Sequence, residues 1–157
     1  MGIPYVFCPG QQTVSLTPQQ LSDGVNGAKC VIGNDYEMEL IASKTGHSSE
    51  SLSSLAEIVI TTFGSRGSRI VKDGETVEIE AVTPSRVADP TGAGDAYLAG
   101  IALGIARGNS PQDFGRIAAL AASHAIEEYG TQVHTYTPAE FAEECVAVYG
   151  EDLLRLG

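Results

Sequence analysis

The sequence predicts an α/β layered sheet, and three observations lead there. Short apolar runs alternate with helical segments from Ile3 to Thr62, one hairpin pattern follows, and from Gly92 onward the chain is helical in three pieces. No repeat or low-complexity linker divides it, so residues 1–157 are expected to form one α/β domain.

Taken in order, Ile3–Cys8 is an apolar run closed by Pro9-Gly10, and Ala28–Ile32 is another closed by Gly33-Asn34; both read as buried parallel strands. Between them Pro18–Val25 reads as a helix, with Thr17 as its cap and Pro18 in the first position. Asn34–Ser43 reads as a second helix capped by Asn34, and Ser49–Leu55 as a short third one. The β-branched run Glu57–Thr62 is a strand ending at Phe63-Gly64. Ser68–Val71 and Thr76–Ala81 flank Lys72-Asp73-Gly74-Glu75, the alternation and Asp-Gly turn of a hairpin. Ala93–Arg107, Pro111–Tyr129 and Pro138–Tyr149 are helical, with Pro111 and Pro138 behind the caps Ser110 and Thr137.

With 157 residues and 43% hydrophobic composition, the chain can bury a real core, as one domain or as a piece of something larger. Its 20 acidic against 9 basic residues give a net charge of −11, and the basic residues are scattered along the sequence. That balance argues against nucleic-acid or anionic-membrane partners and leaves an anionic ligand to backbone amides and a metal ion. Cys8, Cys30 and Cys145 form no C-x-x-C pair, so neither zinc nor a disulfide framework is indicated. No signal-like N-terminus and no window of ~20 apolar residues is present, so a cytoplasmic location is expected.

The most informative stretch is Asp89-Pro90-Thr91-Gly92-Ala93-Gly94-Asp95. Glycines on either side of one alanine allow a sharp bend and close approach of a ligand, and the helix that follows aims its first N–H groups and dipole at that place. A phosphate fits there. Asp95, as a carboxylate in this electropositive turn, is placed to take a proton from an attacking hydroxyl. An ordinary strand-to-helix bend with Asp89 or Thr91 as cap is the plainer reading, but it does not call for Gly-Ala-Gly followed by a second acid.

Two weaker groups accompany it. Asn34-Asp35-Tyr36-Glu37 is readable as a capping box with Asn in place of Ser, or as Glu37 holding magnesium while Asn34 fixes phosphate or water. Thr62-Phe63-Gly64-Ser65-Arg66-Gly67 is either a turn into the hairpin or a loop against a nucleotide, with Arg66 toward phosphate or solvent. In α/β sheets ligands gather at the carboxyl ends of strands, so these three loops are expected to share a cleft. His47, His124 and His134 show no metal-ligand spacing and are read as surface or cap residues. No serine or cysteine has a paired base, and no G-x-x-x-x-G-K-S/T is present.

The Asp89–Asp95 motif resembles the C-terminal signature of the ribokinase-like PfkB family of carbohydrate and nucleoside kinases. Asn34-x-x-Glu37 is similar to that family's magnesium and phosphate motif, and Thr62-x-Gly64-x-x-Gly67 to its nucleotide loop, in the family's order. The resemblance implies a three-layer α/β/α fold, mostly parallel with a β-hairpin, from which the N-terminal half and its lid are absent. It implies ATP and Mg2+ as cofactors and a sugar or nucleoside as acceptor. Asp95 would be the catalytic base, with Gly92, Ala93 and Gly94 the anion hole. Asn34 and Glu37 would act through magnesium, and Thr62, Gly64 and Gly67 would line the ATP. Together with Glu128–His134, the motifs look most like bacterial adenosine-kinase-type members. Some members bind a monovalent cation near the turn, and Asp89 is the first residue to test for that. Cys8 stands where many relatives have Asp. The missing half carries the acceptor contacts, so the acceptor stays open, and a non-catalytic nucleotide-binding module is the alternative reading. Uncovered apolar surface further predicts a homo-oligomer.

Overall fold

In the computed structural model, which describes residues 2–155, the chain divides into two compact units, Met1–Glu78 and Ile79–Gly157.

The first unit is built on strands β1 (Val6–Phe7), β2 (Cys30–Asn34), β3 (Ile58–Thr62), β4 (Ser68–Lys72) and β5 (Glu75–Ile79), which lie side by side in chain order, the last residue of β5 being Ile79. β1, β2 and β3 are parallel, with Cys30 opposite Ile58 and Asn34 opposite Thr62, whereas β4 returns antiparallel to β3. Asp73-Gly74 turns β4 into β5, with Asp73 and Gly74 both at positive φ (53° and 80°), the conformation for which Asp and Gly are suited. Cys30–Gly33 is buried throughout, as the unbroken apolar run requires. β1 is shorter than the predicted run: Pro4 has no N–H to pair, and Ile3 is exposed.

Helix α1 (Pro18–Val25) starts at the predicted cap, with Thr17 and Gln20 closing a reciprocal capping box. Helices α2 (Asp35–Thr45) and α3 (Ser49–Leu52) follow β2. Leu21 and Val25 of α1 and Met38 and Ile41 of α2 pack with Val31 and Val59 of the sheet, each burial worth about 1.5–3 kcal/mol. Gly24 is required here, because a Cβ would lie 2.3 Å from the Phe7 ring.

A 3-10 turn over Gly10–Val14, absent from the sequence expectation, ends against Lys44. The Lys44 ammonium donates to the carbonyls of Thr13, Val14 and Leu16 at 2.9, 2.7 and 2.9 Å, using all three of its protons.

The second unit holds α4 (Ala93–Ala106), α5 (Pro111–Ala125) and α6 (Pro138–Tyr149). α4 lies close on α5, because Gly100 and Gly104 face it: a Cβ on Gly100 would meet Ala118 Cα at 2.5 Å, and one on Gly104 would meet Phe114 Cβ at 2.2 Å. α5 contributes Ile117 and Leu120 and α6 contributes Phe141 and Cys145 to a core completed by Leu153 and Leu154. α5 ends at Ala125, four residues before the predicted Tyr129. There Ile126 O accepts from Ala88 N at 2.8 Å and Glu127 O from Arg86 Nε at 2.7 Å, so the strap 85–89 takes carbonyls that a longer helix would use.

Candidate functional site

In the first unit the carboxyl ends of β2 and β3 bring Asn34 and Thr62 into register. Asn34 Oδ1 accepts from Glu37 N at 2.8 Å and Glu37 Oε2 accepts from Asn34 N at 3.0 Å, the complete capping box. Gly33 makes room for it, since a Cβ there would sit 3.1 Å from Glu37 Oε2; the sequence reading did not single out this role.

After Thr62 the loop closes on itself: Phe63 N donates to Gly67 O at 2.8 Å and Gly67 N to Gly64 O at 3.0 Å. Gly64 and Gly67 carry φ of 60° and 88°, so backbone shape alone accounts for both glycines. Arg66 meets Asp35, Nη2 to Oδ2 at 3.2 Å. Arg66 and Arg69 both place their guanidinium carbons over the Phe63 ring, 5.2 and 5.8 Å from its centroid. Two of the nine basic residues, Arg66 and Arg69, thus share this loop.

In the second unit Gly92 is the N-cap of α4, at φ 92°, with no side chain bonding to the helix end. The plainer expectation that Asp89 or Thr91 caps this helix does not hold. Asp89 Oδ1 accepts instead from Thr91 N at 2.9 Å. A hydrogen bond from the Thr91 side chain, reinforced by this backbone one and by a weaker one from Gly130, holds its carboxyl below the usual carboxylate range. Ala93 N reaches Pro90 O at 3.3 Å and Ala96 N reaches Gly92 O at 2.9 Å, while the helix end between them receives no cap.

Gly92 and Gly94 differ in why they are glycine. Gly92 needs its positive φ, and a Cβ there would press on Thr131 at 3.1 Å. Gly94 has no such φ and nothing within 4 Å of where its Cβ would be. Neither packing nor backbone conformation demands a glycine at 94; open space beside an uncapped helix end is what its lack of a side chain provides. Asp95 is exposed in the first turn of α4.

Among the described residues no group of three or more His, Cys, Asp or Glu side chains is placed to hold a metal ion. A magnesium ion would therefore depend on one or two protein ligands, water and ligand phosphate, which is its ordinary coordination habit. Cys30 and Cys145 are buried thiols pushed up to about 12 and about 11, and so are inert. His124 is half-buried rather than on the surface: its ring lies tilted against Tyr136 with centroids 4.9 Å apart, and its Nε2 lies 2.8 Å from Glu144 Oε2 without hydrogen-bond alignment. A cavity of about 330 Å³, lined by Ala99, Leu103, Arg107, His134 and Phe141 among others, contains none of the predicted site residues. No helix among the described residues is long and apolar enough to cross a membrane.

The sequence profile of the pfkB family carbohydrate kinases matches residues 4–138. This chain belongs to that family. Its relatives include the nucleoside kinase of Methanothermobacter thermautotrophicus, 33% identical over 92% of this chain and 46% of that one. Among solved structures, the pfkB-family chain is similar to the Burkholderia thailandensis nucleoside kinase in complex with inosine. That match has a TM-score of 0.93 and 34% identity, over 96% of this chain and 50% of the other. The same enzyme in complex with ADP-inosine gives the same TM-score. The ribokinase-like α/β fold expected from the motifs is thereby shown, and the adenosine-kinase-type expectation holds at the coarser level of nucleoside kinases. The chain spans about half the length of the relatives it matches.

Proposed function

We propose that this chain is the nucleotide-binding half of an ATP- and Mg2+-dependent kinase that phosphorylates a hydroxyl of a nucleoside, with a sugar as the broader acceptor class. The observation that carries this reading is the uncapped N-terminus of α4 beside Gly94, a glycine without a packing or conformational reason. Family membership and the nucleoside-kinase relatives support it. In this reading the amides of Gly92, Ala93 and Gly94 bind the transferred phosphoryl group, and Asp95 takes the proton of the attacking hydroxyl.

Thr62, Gly64 and Gly67 line the nucleotide. Asn34 and Glu37 hold its magnesium; the capping box occupies Oε2 of Glu37, and a single carboxylate completed by water and phosphate suits this ion. Magnesium, when bound, neutralises charge on the nucleotide phosphates. Asp89, whose carboxyl Thr91 keeps anionic, is the candidate ligand for a monovalent cation. The units act as one α/β domain, and exposed apolar groups such as Leu103 and Val87 support self-association.

Isothermal titration of the purified chain with a non-hydrolysable ATP analogue, with and without magnesium, tests this reading. Magnesium-dependent binding is the expected result, and absence of binding overturns it. Binding without phosphorylation of any nucleoside or sugar favours the second reading, a nucleotide-binding module without catalysis, which the half-length match to relatives favours. A monodisperse monomer in light scattering at micromolar concentration overturns self-association.

A further inference from the structure

Charge on this chain is 20 acidic to 9 basic residues, and yet two arginines share one aromatic ring beside the proposed nucleotide loop. Arg66 sits in the 3-10 turn Gly64–Arg66, held over Phe63 by a loop that its own backbone hydrogen bonds close. A guanidinium resting on a ring face keeps its planar fork oriented while its edge remains available. Among the described residues that edge meets Asp35, Nη2 to Oδ2 at 3.2 Å, between side chains that are 72% and 56% exposed. Arg69 donates Nε to Glu78 Oε1 at 2.6 Å, so its charge is already matched within the hairpin.

Asp35 is the first residue of α2, where the helix dipole favours an anion. A carboxylate thus occupies, at Arg66, the kind of place a phosphate group takes. A single-contact pair in solvent is weak, whereas a di- or triphosphate offers more charge and a second acceptor oxygen to the same fork. We propose that Arg66 binds the phosphate tail of a nucleoside di- or triphosphate and that Asp35 is its exchangeable counter-ion in the nucleotide-free protein. The inference rests on the nucleotide-binding reading above. It resolves the two options that the sequence left for Arg66, solvent or phosphate, into an exchange between a carboxylate and phosphate. Phe63 acts here as a positioning residue, and Asp35 as the competitor that the phosphates displace.

The test is calorimetric titration of ADP, the non-hydrolysable ATP analogue and AMP into the wild-type chain and its Arg66→Gln, Asp35→Asn and Arg69→Gln variants. Arg66→Gln is expected to weaken ADP and the analogue by about tenfold or more, as loss of a charge-assisted hydrogen bond does, and to leave AMP within about twofold. Asp35→Asn is expected to tighten ADP and the analogue by a factor of a few, because it removes the competitor, a gain that a purely structural ion pair would not give. Arg69→Gln is expected to change little. Equal weakening of AMP by Arg66→Gln, no weakening of any ligand, or weakening by Asp35→Asn in step with Arg66→Gln overturns the proposal. A wild-type chain that binds none of the three overturns the nucleotide reading itself, and the proposal with it; wild-type binding with an indifferent Arg66→Gln overturns the proposal alone.

Discussion

The N-termini of α2 and α4 begin with the same unsatisfied donors and treat them in opposite ways. At α2, Asn34 and Glu37 exchange hydrogen bonds at 2.8 and 3.0 Å, so the chain satisfies its own amides. At α4, Gly92 has no side chain to offer, and Gly94 leaves the space beside the helix open. Capping and anion binding draw on one resource, the free N–H groups of a first turn, and a helix end committed to one serves the other less well. Thr17, Ser48, Ser110 and Thr137 place the other α-helices with α2, leaving α4 as the exception among the described residues.

The sharpest way to break the comparison is at Asp95. Asp95→Asn, assayed in the phosphorylating enzyme, is expected to lower turnover by about 10²–10⁴-fold, with ATP-analogue affinity unchanged; unchanged turnover removes the base from α4. Gly94→Val comes next. It fills only open space and exchanges one poor helix former for another, a difference below about 0.5 kcal/mol, so thermal unfolding should hardly move while analogue binding is lost. Binding that survives this substitution means the space at 94 is not a ligand's.

Gly92→Ala should act the other way round, on the fold itself. At φ 92° and with Thr131 at 3.1 Å, it is expected to cost about 1–3 kcal/mol in urea unfolding. Asn34→Ala should cost about 1 kcal/mol by loss of the cap, and Asn34→Asp should restore most of it; an unchanged midpoint for the alanine would mean that α2 does not depend on its box.

The smallest effect is on pH. Because Thr91 lowers the folded-state value for Asp89, the stabilisation of this turn is complete above the unfolded value of about 3.8 and lost as the pH falls through the lower folded one. Protection of the Thr91 amide, taken relative to its intrinsic exchange rate at each pH, should fall in that window for the wild type and stay flat for Asp89→Asn.

Much of this was legible in the sequence where local chemistry decides. Thr17-Pro18, Ser110-Pro111 and Thr137-Pro138 marked three helix starts to the residue, and Asp73-Gly74 marked the hairpin. The family motifs were readable because they are contiguous. What escaped depends on residues distant in sequence. The end of α5 is set by carbonyl bonds to the 85–89 strap, and the α4 packing glycines 100 and 104 are explained only by Ala118 and Phe114. Their four-residue spacing was the available signal. His124 read as a surface or cap residue because its ring partners, Tyr136 and Phe141, lie beyond a break in the helical pattern. The two readings of Asn34 and Glu37 were never exclusive: the structure displays the cap, and one oxygen of Glu37 suffices for it.

Lys44 has a further consequence. Three carbonyls converging on one positive charge form the kind of cage that elsewhere holds a dissolved cation. Here the cation is tethered by its own side chain, so neither dialysis nor dilution can empty the cage, and its occupancy does not follow the salt around the protein. The turn that carries Cys8, Pro9 and Gly10 toward α1 is therefore fastened by a counter-charge encoded in the gene. Neutralising that ammonium by acetylation would release the turn, which changes in ionic composition would leave in place.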